Sequence, residues 1–129
     1  MIETLYGRNA VYEALRAGRR RPYRLFLAEG LQPAGVIDQI LSLAEQAGVP
    51  VKYTERRNLD HMGVGNHQGV VLEASEYPYS SLDEVLAQIR SQSEKALILL
   101  LDLLQDPQNV GSLLRTAEAA GVHGVVIQR

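Results

Sequence analysis

Leu97–Gln128, LILLLDLLQDPQNVGSLLRTAEAAGVHGVVIQ, is the stretch whose reading decides the fold. Leu97–Leu101 is a short apolar run, which suits a strand buried on both faces. Asp102 ends it, and Asp106-Pro107 marks a turn in which Pro107 blocks an earlier helix start. Asn109 is then placed to cap a helix through its side-chain oxygen. The helix is expected to run to Ala120, with Gly121 as its left-handed stop. Gly124–Ile127 is a second apolar strand. A strand, a helix and a strand in that order are the unit from which parallel α/β sheets are built.

At about 100° per residue, Val110, Leu113, Leu114, Ala117 and Ala120 share one face of that helix, the natural core side. Arg115 points away from them, three residues before Glu118. A solvated Arg115–Glu118 pair would account for the arginine without any function. Plain capping would account for Asn109.

The 129 residues, 46% of them hydrophobic, suffice for one ordinary domain or two small ones. There is no cysteine, hence no disulfide framework and no thiolate metal site. No apolar run approaches the ~18 residues needed to cross a membrane, and the N-terminus lacks a signal-peptide pattern. These features point to the cytoplasm. A net charge of −2 argues against a generic polyanion binder. The charge is unevenly spread, however. Up to Ala28, Arg8, Arg16, Arg19, Arg20, Arg21 and Arg24 face only Glu3 and Glu13, a local +4 that leaves −6 for the remainder. A basic patch on an acidic chain suits a phosphate backbone held at one surface; a solvated helix end and loop would look the same.

In chain order, helical spacing covers Arg8–Ala17 with Gly18 as its stop. Tyr23–Ala28 alternates as a strand, and a turn spans Gly30–Gly35. A helix over Val36–Ala47, closed by Gly48, precedes a strand at Val49–Tyr53. Asn58–Met62 reads as a short helix capped by Asn58, and Gly69–Ala74 as a strand. The glycine-rich loop Gly63–Gly69 could present backbone N–H groups to a phosphate, but it matches neither the dinucleotide nor the Walker pattern. His67 within it is of a kind more often hydrogen-bonded than catalytic. His61, His67 and His123 lack ligand spacing, so no metal site is expected. Tyr77-Pro78-Tyr79-Ser80-Ser81 interrupts periodicity as a domain boundary does. Ser81 and Glu84 form a capping box for a helix over Leu82–Arg90.

DPQNVGSLLRTAEAAG resembles the first signature motif of the SpoU (TrmH-like) ribose 2'-O-methyltransferases, which are knotted S-adenosylmethionine-dependent RNA methyltransferases. The matching positions are Asp106, Pro107, Asn109, Gly111, Arg115, Thr116, Ala117 and Gly121. YGRNAVYEALRAG (Tyr6–Gly18) and NHQGVVLEA (Asn66–Ala74) resemble the two ends of the substrate-binding domain that precedes the catalytic domain in many such enzymes. That domain has a fold like ribosomal protein L30e and helps hold RNA. Both elements occur in the subgroup that modifies a guanosine of large-subunit ribosomal RNA.

The resemblance implies an α/β protein in which residues 1–76 are a small L30e-like RNA substrate-binding domain. Residues 77–129 would be a linker and the first part of a knotted, SPOUT-type parallel α/β catalytic domain. It carries the active-site Asn and Arg of the motif onto Asn109 and Arg115, and it implies S-adenosylmethionine as cosubstrate. Arg8, Arg19, Arg20, Arg21, His67 and Gln68 are the candidate RNA contacts. Ribosomal RNA is the expected partner, and the complete enzyme is expected to be a homodimer. The family's cofactor pocket and knot lie beyond the position of Arg129, so the chain reads as an N-terminal fragment with no cofactor-binding residue of its own. A stand-alone RNA-binding module would leave DPQNVGSLLR unexplained, and a small-molecule α/β domain would leave the arginines unexplained.

Overall fold

The first half of the chain is organised around one strand, Val70–Ser75, in the computed structural model, which describes residues 1–128. Arg129, where the expected catalytic segment ends, lies outside the described residues. Two compact units are present, Met1–Pro78 and Tyr79–Arg129. The first contains β1 (Ile2–Tyr6), α1 (Arg8–Ala17), β2 (Pro22–Ala28), α2 (Val36–Gln46), β3 (Val51–Thr54), α3 (Arg56–Asp60) and β4 (Val70–Ser75). Its sheet has the order β1-β4-β2-β3; β4 is antiparallel to β1 and β2, and β2 is parallel to β3.

Side chains alternate across a strand, and here both faces are covered. Val70, Leu72 and Ala74 of β4 and Leu25 and Leu27 of β2 pack with Val11 of α1 and Ile37, Ile40 and Ala44 of α2. Val71 and Ala28 turn to the other face and meet Leu59 of α3. Val70, Val71, Leu72 and Ala74 are each at most 1% exposed. Burying a Val, Leu or Ile side chain fully contributes about 1.5–3 kcal/mol, so this strand anchors the unit from both sides.

β1 is a strand that the sequence pattern does not reveal. Only Leu5 of its IETLY is even partly buried. It forms because β4 offers an otherwise unpaired edge, with the register Ile2↔Ser75 through Tyr6↔Val71. β3 begins two residues later than Val49 because Val49 closes the preceding helix: its N–H donates to the Ala44 carbonyl at 2.8 Å, and the Gly48 N–H donates to Glu45 at 3.0 Å. These are the paired bonds of a Schellman stop. α3 also differs from expectation. It starts at Arg56 with Glu55 as N-cap, and Asn58 sits inside it, donating back to Thr54 Oγ1 at 2.9 Å.

The second unit contains α4 (Leu82–Ser91), β5 (Ile98–Leu101), α5 (Pro107–Ala119) and β6 (Gly124–Ile127), with β5 and β6 parallel. The strand–helix–strand unit is therefore present. β5 is not buried on both faces: Leu100 is 72% exposed and only Leu101 is buried. Likewise Ala117 is buried on α5, while Leu113 and Leu114 are 38% and 42% exposed. Among the described residues the sheet here has two strands, too few to cover both faces. α5 ends as α2 does, with Val122 N–H donating to Ala117 at 3.0 Å and Gly121 N–H to Glu118 at 3.1 Å.

The start of α4 is the capping box expected from its sequence. Glu84 N–H donates to Ser81 Oγ at 3.2 Å, and Ser81 N–H donates to the Glu84 carboxylate at 2.7 Å. The Ser81 backbone N–H, and after it the Ser81 hydroxyl, hold the Glu84 carboxyl below the ordinary glutamate range. A lowered carboxyl pKa stabilises the folded state above the unfolded value, and that stability is lost as pH falls through the folded one. NMR titration should find Glu84 protonating below the ordinary glutamate value. Glu84→Gln, whose amide oxygen still accepts from Ser81, should abolish the acid-linked fraying of α4 without removing the helix. Titration of Glu84 at the ordinary value would contradict this account.

Candidate functional site

The loop before β4 closes with a tight turn. Val70 N–H donates to the His67 carbonyl at 2.9 Å, and the two central residues, Gln68 (φ 51) and Gly69 (φ 81), are both left-handed. A type I′ turn requires this pattern. Gly69 tolerates it; a Cβ there would also lie 2.2 Å from Leu31 Cδ1. Gln68 does not tolerate it freely, and a non-glycine residue held in this region costs of order 1–3 kcal/mol.

Two sets of bonds hold the turn. The His67 ring is 4% exposed; its Nδ1 accepts from Gly69 N–H at 2.9 Å and its Nε2 lies 2.8 Å from Asp60 Oδ1. Nδ1 is therefore the acceptor, and Nε2–H donates to the aspartate. Gln68 Oε1 accepts from the Arg8 backbone N–H at 3.0 Å, and the Gln68 carbonyl accepts from Arg8 Nε at 3.4 Å. The N-cap of α1 is Gly7, which has no side chain to offer. Gln68 supplies the missing cap from sixty residues away.

The structure divides the candidate RNA contacts between opposite ends of the sheet. β1, β2 and β3 run in the same direction and β4 runs against them. Arg8, His67 and Gln68 thus lie at the carboxyl ends of β1–β3. Arg19, Arg20 and Arg21 precede β2 and lie at the other end, about 20 Å away along a seven-residue strand. There Arg20 is largely consumed by the fold: its guanidinium pairs with Glu3, donates to the Ser75 carbonyl at 3.1 Å and lies 5.4 Å from the Tyr77 ring centre. Arg21 donates its N–H to Ser75 Oγ and stacks over Tyr23 at 5.9 Å. Arg24 and Arg16 pair with Glu73 and Glu13. Among the described residues Arg19 has no such partner. Half of the local positive charge is therefore already neutralised.

In the second unit, α5 begins three residues earlier than expected. Asp106 is the cap, its carboxylate accepting from Gln108 N–H at 2.9 Å, and Pro107 occupies the first helical position. Proline has no N–H to leave unpaired there and its φ is already helical; it starts the helix rather than delaying it. Asn109 is thus not the cap. It is the third helical residue, exposed, with no side-chain hydrogen bond among the described residues. Arg115 is exposed as well and makes no ion pair with Glu118 among the described residues. Its Nη1 lies 3.7 Å from where a Cβ on Gly111 would sit, so the guanidinium is laid back over the bare backbone toward the helix's first turn. Asn109 and Arg115 do not bond to each other.

Beyond the carboxyl ends of β5 and β6 lies a cleft of about 400 Å³, with apolar walls from Leu101, Leu104, Val110 and Ile127 and the amides of Gln105 and Gln128. Leu103 on its rim is left-handed (φ 52) and 76% exposed. Among the described residues no charged side chain lines this cleft. Among the described residues no group of His, Asp or Glu is arranged to hold a metal ion, and no helix is long and apolar enough to cross a membrane.

Sequence reasoning missed Arg56 and Glu29, which line one cleft with Arg8. The signal existed: Tyr6-Gly7-Arg8 and Thr54-Glu55-Arg56 each place an arginine two residues after a strand. It was invisible while β1 was unrecognised. The geometry also sets an order of costs. His67→Ala strips the partner from the buried Gly69 N–H and should lower unfolding stability by about 2 kcal/mol. Gln68→Ala, a lost cap, should cost about 1 kcal/mol. Asp60→Asn, at an exposed partner, should cost less than either. Urea denaturation of the three variants checks this order, and a neutral His67→Ala would refute it.

Residues 4–80 match the family model described as "RNA 2'-O ribose methyltransferase substrate binding". The chain is 41% identical over 123 residues to a Bacillus subtilis protein assigned to the TrmH family of tRNA/rRNA methyltransferases, covering 95% of this chain and 49% of that one. A Staphylococcus saprophyticus protein of the same assignment is 36% identical over 125 residues, with 97% and 49% covered. The chain thus spans about half the length of the curated relatives it matches. Among solved structures, the AdoMet-bound rRNA methyltransferase from Sinorhizobium meliloti aligns with a TM-score of 0.58 at 25% identity, covering 98% of this chain and 43% of that one. An RNA 2'-O ribose methyltransferase aligns at 0.59 and 22%, covering 99% and 45%. Structures of this family hold AdoMet, and S-adenosylmethionine is the cosubstrate that fits it. The neighbours share the mixed α/β architecture. With a substrate-binding model matched over residues 4–80 and the Asp106–Gly121 motif following it, the chain belongs to the SpoU (TrmH-like) family of RNA 2'-O-methyltransferases.

Proposed function

We propose that the protein of which this chain forms at least a part transfers a methyl group from S-adenosylmethionine to a ribose 2'-oxygen of RNA. Its target on this reading is a guanosine of large-subunit ribosomal RNA. Residues 1–76 hold the RNA, and residues 77–129 are the linker and opening segment of the methyltransferase domain. The enzyme works in the cytoplasm as a homodimer. Arg8, Arg19 and Arg21 contact phosphates directly, whereas Arg20, His67 and Gln68 keep those contacts in place.

The observation that carries this reading is Arg115. It lies at the arginine position of the family motif, exposed, without an acidic partner among the described residues, and over a glycine that leaves its guanidinium room. S-adenosylmethionine supplies an electrophilic methyl carbon. The 2'-hydroxyl is a weak nucleophile until its proton is removed or its developing oxyanion is stabilised. Arg115 stays protonated, so it is not the base. Its forked donors suit the adjacent phosphate or the ribose oxygen, and Asn109 on the first turn orients the substrate. Both residues are assigned on this reading to the RNA side of the reaction, because a forked cation and an amide suit phosphate and ribose oxygens.

Arg115→Ala in the intact enzyme should lower methyl transfer by ~100-fold or more while leaving thermal melting unchanged, because truncating an exposed helix arginine costs the fold less than ~1 kcal/mol. Arg115→Lys should rescue little if the bidentate fork is what matters. Transfer of labelled methyl to RNA is the assay. Near-normal transfer by Arg115→Ala would sink the assignment and return Arg115 to a solvated helix charge.

A further inference from the structure

The carboxyl ends of β1, β2 and β3 enclose a cleft of about 400 Å³ between the start of α1, the turn after β2 and the start of α3. That size is within the range of about 300–1,000 Å³ typical of small-ligand clefts. Arg8 and Arg56 both line it, one delivered by β1 and the other by β3, together with Glu29 and Gln32. Arg8 spends its Nε on the Gln68 carbonyl and keeps its two terminal nitrogens. Arg56 and Glu29 make no side-chain hydrogen bond or ion pair among the described residues. The neighbouring Arg57 is different: it pairs with Glu55 at 2.5 Å and does not line the cleft.

Residues 1–78 carry nine basic and nine acidic side chains, so the unit as a whole does not attract a polyanion. Any phosphate affinity must come from places where the two signs are separated. Here two arginines and a single glutamate line one concave space, and no ion pair joins them among the described residues. Forked guanidinium donors from two directions suit the oxygens of a phosphate. A duplex presents its phosphates on a wide rigid surface, whereas a cleft of this volume admits one splayed-out nucleotide, the form in which RNA loops are commonly recognised.

We propose that this cleft seats one nucleotide of single-stranded RNA, with its phosphate held between Arg8 and Arg56 and with Glu29 beside them. This rests on the reading that residues 1–76 hold RNA, and it names the part of that unit that does so. It shifts the principal contact away from Arg19–Arg21 and adds Arg56, one α3 turn from the loop that carries His67.

The test is fluorescence anisotropy of the full chain with a mixed-sequence single-stranded RNA of about twenty nucleotides, repeated across a salt series and with a blunt duplex. Arg56→Ala should weaken single-strand binding roughly three- to tenfold and reduce the slope of log affinity against log salt by about 0.7, one single-strand phosphate contact. Arg57→Ala removes the same charge one residue away, outside the cleft, and should change affinity less than about twofold. Glu29→Gln should strengthen binding by removing the carboxylate next to the phosphate. All three positions are exposed, and thermal melting confirms that each variant folds. Equal losses at 56 and 57, or an Arg56→Ala loss of equal size on duplex, would overturn the cleft while leaving the RNA-holding reading intact. An unsubstituted chain with no RNA affinity at low salt would overturn the RNA-holding reading and the cleft with it.

Discussion

The buried His67 ring is the constraint on which the amino-terminal unit depends. By accepting from Gly69 and donating to Asp60 it holds a turn whose two central residues are left-handed. The strain stored at Gln68 is offset by what that residue then does. Its side chain and carbonyl reach Arg8, cap α1 and orient the arginine that follows β1. The same turn sets where β4 begins, and β4 is the strand on which both hydrophobic clusters rest. Core, helix cap and candidate phosphate contact are therefore coupled through three consecutive residues. A glycine-rich loop that looked suited to gripping a ligand with its own N–H groups instead spends at least one of them, that of Gly69, on the protein.

Charge in this unit is separated by topology, not by composition. The order β1-β4-β2-β3, with three strands pointing one way, sends the starts of α1 and α3 to one end of the sheet and the Arg19–Arg21 loop to the other. At the latter end Glu3, the Ser75 carbonyl and Tyr77 absorb Arg20. At the former, Arg8 and Arg56 line one cleft with Glu29 and form no ion pair among the described residues. A local excess of arginine in the chain is thus a poor measure of where positive charge is available.

The second unit shows the opposite balance between packing and exposure. Its motif helix buries little, and Leu113, Leu114 and Leu100 remain accessible. Two polar residues of the motif, Asn109 on the first turn and Arg115 laid over Gly111, make no side-chain hydrogen bond or ion pair among the described residues. Among the described residues the arginine of this helix has no ion-pair partner, and the core holds the helix mainly through Ala117.

The elements with strong local signals were legible in the sequence. The strand–helix–strand unit, the Ser81–Glu84 capping box, the glycine stops of α1, α2 and α5, and the alternation of β2 all follow from side-chain period and cap chemistry within a few residues. The family motif marked Asn109 and Arg115 at a spacing the helix preserves. Tertiary structure decided what local rules do not reach. β1 exists because β4 has an edge to fill. Gln68 caps a helix sixty residues away, and the long-range bonds that consume Arg20 and leave Arg56 open depend on which ends of which strands meet. Propensity and period act over one or two turns of chain, whereas pairing, burial and charge compensation act between residues that only the folded sheet brings together.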